Sequence, residues 1–450
     1  MIQTNQKTQI QQNQNHSKTS FLGQKLNPQT DALQTLKTLQ NDTIWITYRQ
    51  NFSPLLQEKK KKSPYKQKIT TDQGWGCMLR VGQNIFIEAL KRHFYKNNIK
   101  FNYHQLIQPF IDDPSANYSI HQISEIAFEN FQMAPGEWYP PNRIMKVLEI
   151  LQNSQPVQNA KNLKIASFNS DSVIVYDQIL GYFLKDDFLQ KPLENIEETF
   201  LCKNPEHSQL IQNSEENQNQ ESLNQENSNF NQENKENSNQ QNQNLNQENN
   251  NQNLNQNQEN NNQNQNQNLN QKQKKLVCQQ CHKSEKSLFL VINTRLGLEK
   301  INTSYQQIIL EILEFELSLG IIGGQTGKAH YFIGNLDKKL LFLDPHFTQP
   351  ASTKENFGNL ENIQSYFCSQ LRFLDIEQID STLSLGFYLK NLNDFEKFYQ
   401  FMNQLSEKYQ DFFIYFSEEV PSYIKKIYEK KDNQEGQQQE AEDDDFIIID

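Results

Sequence analysis

Apolar residues recur at helical spacing directly behind a glycine-bracketed tryptophan. After QGWGC (Gln73 to Cys77), the positions Leu79, Phe86, Ala89, Leu90 and Phe94 line up on one face and predict a helix over Cys77 to Phe94. A second stripe, Phe395, Phe398, Met402 and Leu405, follows Asp394, whose short side chain suits an N-cap. Apolar runs and alternations predict strands at Ser287–Thr294, His330–Gly334, Leu340–His346, Leu383–Leu389 and Phe412–Phe416. NLDKK, Asn335 to Lys339, is then the connection of a hairpin. Helices and strands together predict an α+β core.

The pattern fails in two long stretches. Met1 to about Thr30 is rich in Gln, Asn, Ser and Thr with scattered apolar residues, and reads as a flexible tail. Gln212 to Gln273 is almost wholly Asn, Gln and Glu, and its one aromatic is Phe230. Such a segment buries too little apolar surface to offset the entropy of ordering it. The expected organisation is therefore a disordered tail over 1–30, a core part over 31–200, a disordered insertion over 201–285, a second core part over 286–425, and an acidic tail over 426–450.

Composition narrows the function classes. Only 35% of the 450 residues are hydrophobic, which fits a chain that folds in part. A net charge of −11 argues against a sequence-independent grip on nucleic acid. No basic run followed by an apolar stretch opens the chain, and runs such as LFLVI (Leu288 to Ile292) are too short to cross a bilayer. Cysteines at 77, 202, 278, 281 and 368 do not resemble a disulfide framework, so a cytoplasmic, reducing environment is expected.

The candidate chemistry centres on Cys77. Gly74 and Gly76 allow a tight turn, and Cys77 then falls in the first turn of the predicted helix. Free N–H groups and the positive dipole end favour a thiolate there, and can also bind a developing oxyanion. A buried structural cysteine fits the same bracket, and the residues alone leave both readings open. A nucleophilic thiol needs a base and an orienting group. FLDPHFTQ supplies both: on a strand, Asp344 and His346 share a face, and Pro345 marks an edge or an end. An ordinary turn carrying an Asp and a His is the competing reading. His330, in GKAHYFIG, is a second candidate base without an adjacent carboxylate.

Other signals carry less. CQQCH (Cys278 to His282) matches a haem-attachment pattern without supporting context. Cys202, His207, Cys278 and Cys281 flank the insertion in a loose zinc-like arrangement, but the spacing is weak and no metal or other cofactor is expected. GGQTGK, Gly323 to Lys328, fails the phosphate-loop pattern at Ile322 and Ala329.

Several segments in one order resemble the autophagins, the autophagy cysteine peptidases that process a ubiquitin-like modifier. They are WITYRQNF (Trp45 to Phe52), GWGCMLR (Gly74 to Arg80), YSIHQI (Tyr118 to Ile123), GEWYPPN (Gly136 to Asn142), RLGLEKIN (Arg295 to Asn302), AHYFIG (Ala329 to Gly334) and LDPHFTQP (Leu343 to Pro350). The resemblance spans about Asp42 to Leu389, with the Asn/Gln block as an insertion longer than the family leads one to expect. It implies a papain-like fold, with a largely antiparallel sheet packed against the nucleophile helix. It also implies Cys77 as nucleophile, His346 as base, Asp344 as orienting group, and Tyr48 as oxyanion donor beside the Cys77 N–H. Trp138 is similar to a family tryptophan over the substrate groove. Gly323 and Gly324 fall where the family has a mobile loop covering the site.

The implied reaction is cleavage after a glycine near the modifier's C-terminus. It would serve both to mature the precursor and to release the modifier from phosphatidylethanolamine at a membrane surface. Phe446 and Ile449, behind Asp443, Asp444 and Asp445, resemble the aromatic-x-x-aliphatic motif that docks on the modifier by strand addition. A peptidase for another ubiquitin-like protein, or an idle adaptor that binds through this tail, is the alternative.

Overall fold

The structure is a computed structural model describing residues 19–26, 36, 39–55, 68–170, 174–183, 286–368 and 370–417. These all belong to one unit, built from 1–189 and 284–450. In chain order it contains the strands β1 (Thr19–Phe21), β2 (Gln24–Leu26) and β3 (Arg49–Gln50), then the helices α1 (Cys77–Lys96), α2 (Tyr103–Ile107), α3 (Ile120–Phe131) and α4 (Pro141–Ser154). Next come β4 (Leu163–Asn169), β5 (Ile174–Val175) and α5 (Tyr176–Phe183), followed by β6 (Ser287–Lys300), α6 (Thr303–Glu314), β7 (Ser318–Gln325), β8 (Lys328–Leu336), β9 (Lys339–Leu343) and β10 (Gln349–Pro350). The last elements are α7 (Leu360–Gln364), β11 (Arg372–Asp375), β12 (Asp380–Leu389), α8 (Leu392–Lys408) and β13 (Phe416–Ser417).

Among the described residues nine strands form one mixed, largely antiparallel sheet, in the order β11–β9–β8–β7–β12–β6–β4 with β1 and β2 attached to β8. Its centre is apolar on both faces, because helices cover it: Leu288 to Ile292 on β6 and Leu385 to Leu389 on β12 are all buried. The one parallel pairing in this path, β4 with β6, joins segments from the two sides of the Asn/Gln block.

Helix α1 is more deeply placed than its stripe predicts. It is buried on every face from Cys77 through Ile87, so its polar residues must find partners inside the protein. Gln83 donates to the Tyr118 carbonyl at 2.7 Å, and Asn84 exchanges two hydrogen bonds with the Ile46 backbone, at 2.7 and 2.9 Å. Phe86 stacks on Phe289 of β6 and meets Tyr118 edge-on. The helix thereby holds the chain entering β3 in place.

Several expectations are corrected. Residues 19–26 do not belong to a featureless tail: they form a hairpin whose first strand pairs with Gly334 to Leu336, and Phe21 is buried. The pairing of β7 with β8 stops at Phe332, and the tail segment takes up the backbone groups of β8 beyond it. The N-cap of α8 is Asn391, which accepts from the Asp394 N–H. Asp394 lies in the first turn and accepts from the Lys390 N–H. Its apolar stripe is as read, with Phe395, Phe398, Met402 and Leu405 buried. Phe412 to Tyr415 is irregular, and only Phe416–Ser417 is strand. The strand read as Leu340–His346 ends at Leu343. The proposed zinc ligands 202, 207, 278 and 281, and the motif at 446–449, lie outside the described residues.

Candidate active site

The turn before α1 uses its two glycines differently. Gly74 has φ +87°, a left-handed conformation that side chains resist. Gly76 has ordinary φ, but a Cβ there would lie 2.5 Å from the Asp72 Cβ. The turn closes through Trp75 N–H and Gly76 N–H, which both donate to the Asp72 carbonyl. It delivers Cys77 to the first position of a 20-residue helix, with the thiol only 1% exposed.

Three groups converge on that sulfur. Burial by itself would raise the Cys77 pKa, but interactions with the His346 side chain, the Ala329 N–H and the Tyr48 hydroxyl hold it below the ordinary thiol value. Tyr48 is pushed far upward by burial and by the neighbouring Cys77, so its hydroxyl keeps its proton and can donate.

His346 lies just past the end of β9, where Pro345 stops the ladder. Its Nδ1 is 2.6 Å from Asp344 Oδ1, and its backbone N–H donates to the same oxygen at 3.1 Å. Nε2 is buried without a partner at hydrogen-bond geometry, with the Cys77 sulfur as a neighbouring group. Such contacts are commonly loose before substrate binds. Burial would lower the His346 pKa, yet the bond to Asp344 and the contact with Cys77 outweigh it and raise the value to about 9. Burial likewise opposes ionisation of Asp344, but its two bonds to His346 keep its pKa below the ordinary value. The Cys77 pKa is thus lowered and the His346 pKa raised, each shift favouring an ion pair between the two, while Asp344 holds the His346 Nδ1.

Cys77 and His346 come from distant parts of the chain, and hydrogen bonds lace their surroundings together. Tyr48 N–H donates to the Pro345 carbonyl, and Gln349 N–H to the Tyr48 carbonyl, each at 2.9 Å. The Trp45 indole donates to the Asp344 carbonyl. Arg372, brought alongside by the β11–β9 pairing, places Nη1 2.8 Å from Asp344 Oδ2. Sequence reading missed Arg372, since nothing local in LRFLD ties it to Asp344. Trp45 did stand in the quoted segment WITYRQNF, but without a role.

His330 is adjacent, with its ring 5.6 Å from that of His346. It packs against Phe342, and burial lowers its pKa to about 4, so it is neutral near pH 7. Its Nδ1 has no partner. His330, Asp344 and His346 offer ligand atoms within 4.8 Å of one another. Arg372 and His346 Nδ1 each contact one of the Asp344 carboxylate oxygens.

Gly323 and Gly324 are not in an open loop. They pair with His330 and Ala329 across the β7–β8 hairpin, whose turn is Thr326–Gly327. Trp138, in the turn ahead of α4, is 47% exposed.

The family model of the Peptidase C54 catalytic domain matches residues 33–401. Relatives include cysteine protease ATG4B of Xenopus laevis, 27% identical over 86% of this chain and 79% of the relative. Cysteine protease ATG4A of Gallus gallus is 26% identical over 78% and 73%. A probable cysteine protease atg4 of Penicillium rubens is 23% identical over 82% and 76%. With the family match covering most of its length, the chain belongs to the Peptidase C54, or autophagin, family and is an autophagy-related cysteine peptidase.

Proposed function

We propose that this peptidase cleaves the ubiquitin-like autophagy modifier after its C-terminal glycine, both in the precursor and in the phosphatidylethanolamine conjugate. The observation that carries the reading is the convergence of Tyr48 and the Asp344-paired His346 on the Cys77 sulfur. In a papain-like arrangement, α1 carries the nucleophile and the end of β9 carries the base.

The Cys77 thiolate attacks the glycine carbonyl carbon, and the carbonyl oxygen becomes an oxyanion. The Tyr48 hydroxyl, released from the sulfur, and the Cys77 N–H bind that oxygen. The C–N bond breaks as the His346 imidazolium gives its proton to the leaving amine, which leaves a thioester. Neutral His346 then takes a proton from water, whose oxygen attacks the thioester. Collapse returns the thiolate, and the imidazolium is restored. Asp344 remains ionised throughout and holds Nδ1–H. Both substrates carry an amide at a glycine carbonyl, so one site serves both.

A thiol 1% exposed must be uncovered before substrate enters. The hairpin 323–329 supplies the Ala329 N–H over the sulfur, and its displacement is the simplest opening. Trp138 narrows the groove to admit glycine. Phe446 and Ile449 dock the modifier, with Asp443 to Asp445 steering the encounter. The site of action is the cytoplasm, at membrane surfaces bearing the conjugate. No helix among the described residues is long and apolar enough to cross a membrane.

The test is incubation of the purified protein with precursor modifier and with conjugate on vesicles, reading product mass. A product ending at the glycine, absent with Cys77→Ala, supports the reading. No cleavage of either substrate, or cleavage elsewhere, overturns it.

A further inference from the structure

Behind the thiol lies an ion cluster that takes no part in the proposed chemistry. Arg80, three residues beyond Cys77 on α1, is 0% exposed. Its Nε and Nη2 reach the two oxygens of Asp72 at 2.7 and 3.2 Å. Its Nη1 lies 2.9 Å from Asp112 Oδ1 and 3.1 Å from Gln83 Oε1. Both carboxylates are buried, and the pair of them keeps Arg80 firmly charged against the pull of burial.

Each carboxylate also grips a backbone. Asp72 Oδ1 accepts from the Arg49 N–H at 2.6 Å, and the Asp72 N–H donates back to the Arg49 carbonyl. Arg49 is the residue after Tyr48. Asp112 Oδ2 accepts from the Ser352 N–H at 2.9 Å, and the Asp112 N–H donates to the Ser352 carbonyl at 2.6 Å. Ser352 ends the segment that runs on from His346 through β10. The Asp72 carbonyl, finally, closes the turn that delivers Cys77. One guanidinium on the helix of the nucleophile is thus tied to the strand that follows Tyr48 and to the segment of His346.

A buried ion cluster is a poor source of stability, because desolvation takes back most of the Coulomb energy and apolar residues of similar size often do as well. What it supplies is direction: the guanidinium fork fixes the Asp72 carboxylate at a defined angle, and its ion pair with Asp112 draws the second carboxylate to the same centre, which packing alone does not. Displacements near 1 Å at reacting groups cost up to about 100-fold in rate.

We propose that Asp72, Arg80 and Asp112 are positioning residues of this peptidase, setting the separation at which the Cys77 thiolate and the His346 imidazolium pair. The inference rests on the roles assigned above to Cys77, Tyr48 and His346.

The test compares wild type, Asp112→Asn, Arg80→Lys and, as a control, Phe398→Leu. Phe398 is a buried residue of α8 that packs on Phe387 and Phe416. Asp112→Asn keeps the shape and removes the charge. Arg80→Lys keeps the charge and removes the fork, and it carries the test if Asp112→Asn does not fold. The readout is the pH midpoint of Cys77 alkylation by iodoacetamide, followed on the Cys77 peptide by mass spectrometry, together with kcat and KM. The expected result is a wild-type midpoint well below that of a free thiol, moved upward by a pH unit or more in both cluster variants. Their kcat falls at least tenfold with KM little changed. Phe398→Leu, though less stable, keeps the wild-type midpoint. Folded cluster variants with the wild-type midpoint and kcat overturn the proposal, as does an equal shift in Phe398→Leu. A wild-type midpoint at the free-thiol value instead removes the thiolate reading itself, whatever the cluster variants do.

Discussion

The Trp45 indole Nε1 donates to the Asp344 carbonyl oxygen at 2.9 Å, joining the segment of Tyr48 to the segment that carries His346. The same ring meets Phe347 edge-on, so His346 stands between two residues held by the segment from Trp45 to Tyr48. Trp45→Phe keeps an aromatic ring and loses the hydrogen bond. One such bond is worth about 1 kcal/mol in stability. The expected outcome is a small drop in melting temperature and about a tenfold fall in kcat, measured by steady-state cleavage. An unchanged kcat would mean that this bond does not orient the base.

The two histidines separate by environment. His346 has the carboxylate partner, whereas His330 is neutral and packed on Phe342. His346→Ala is expected to lower single-turnover acylation by about 100-fold to 10,000-fold, the usual range for general acid–base catalysis. His330→Gln should stay within about tenfold of wild type. Rapid-quench measurement of the acyl-enzyme decides it, and the reverse order would transfer the role to His330.

Activity should follow a bell in pH. The acid limb reports protonation of the Cys77 thiolate, below the ordinary thiol value. The alkaline limb reports loss of the His346 proton near pH 9, after which no acid remains for the leaving amine. Stability follows the same proton. The folded His346 pKa lies above its unfolded value of about 6.5, so the stabilisation is full below pH 6.5 and disappears as pH rises through 9. The stability gap between wild type and His346→Gln should therefore shrink from pH 6 to pH 10, as read by urea unfolding.

His93 gives the opposite slope. It is buried between Tyr388, Asn162 and Asn97, and burial lowers its pKa to about 4. Its depressed value means that stability is full above pH 6.5 and is lost as pH falls from 6.5 through 4, by up to ~3 kcal/mol. His93→Gln should flatten the fall in urea midpoint between pH 6.5 and 4.5. An unflattened fall would assign the acid sensitivity to other groups.

Trp138 and the tail are proposed to bind substrate away from the scissile bond. Trp138 is 47% exposed, so Trp138→Ala should leave the fold intact and raise KM. Deleting residues 446–450 removes two apolar anchors worth about 1.5–3 kcal/mol each at full burial, so KM should rise roughly tenfold or more at constant kcat. Unchanged KM in steady-state cleavage of the precursor would remove either role.

How far the sequence reaches depends on whether a signal is local. The helix at Cys77, the strands around Leu288, His330 and Leu383, and the stripe of α8 were legible because periodicity is written into neighbouring residues. So were the turn glycines and the adjacency of Asp344 and His346, two residues apart. The boundaries were less so: Asn391 took the cap expected of Asp394, since both are good acceptors near the same helix start. Residues 19–26 looked like tail because their partner, the C-terminal end of β8, lies more than 300 residues away.

Only the tertiary structure decided what depends on pairing across the chain. Register between β11 and β9 put Arg372 beside Asp344, and the crossing of Trp45 to Tyr48 over Pro345 put a phenol and an indole around the base. Burial, which no local pattern measures, made His330 neutral while charge partners made His346 cationic, though the two rings lie only 5.6 Å apart. The sequence by itself determined which reactive residues were available and the turn that exposes a helix N-terminus to Cys77. The fold determined their distances and their charges, because both are set by neighbours that the chain brings together only when it closes.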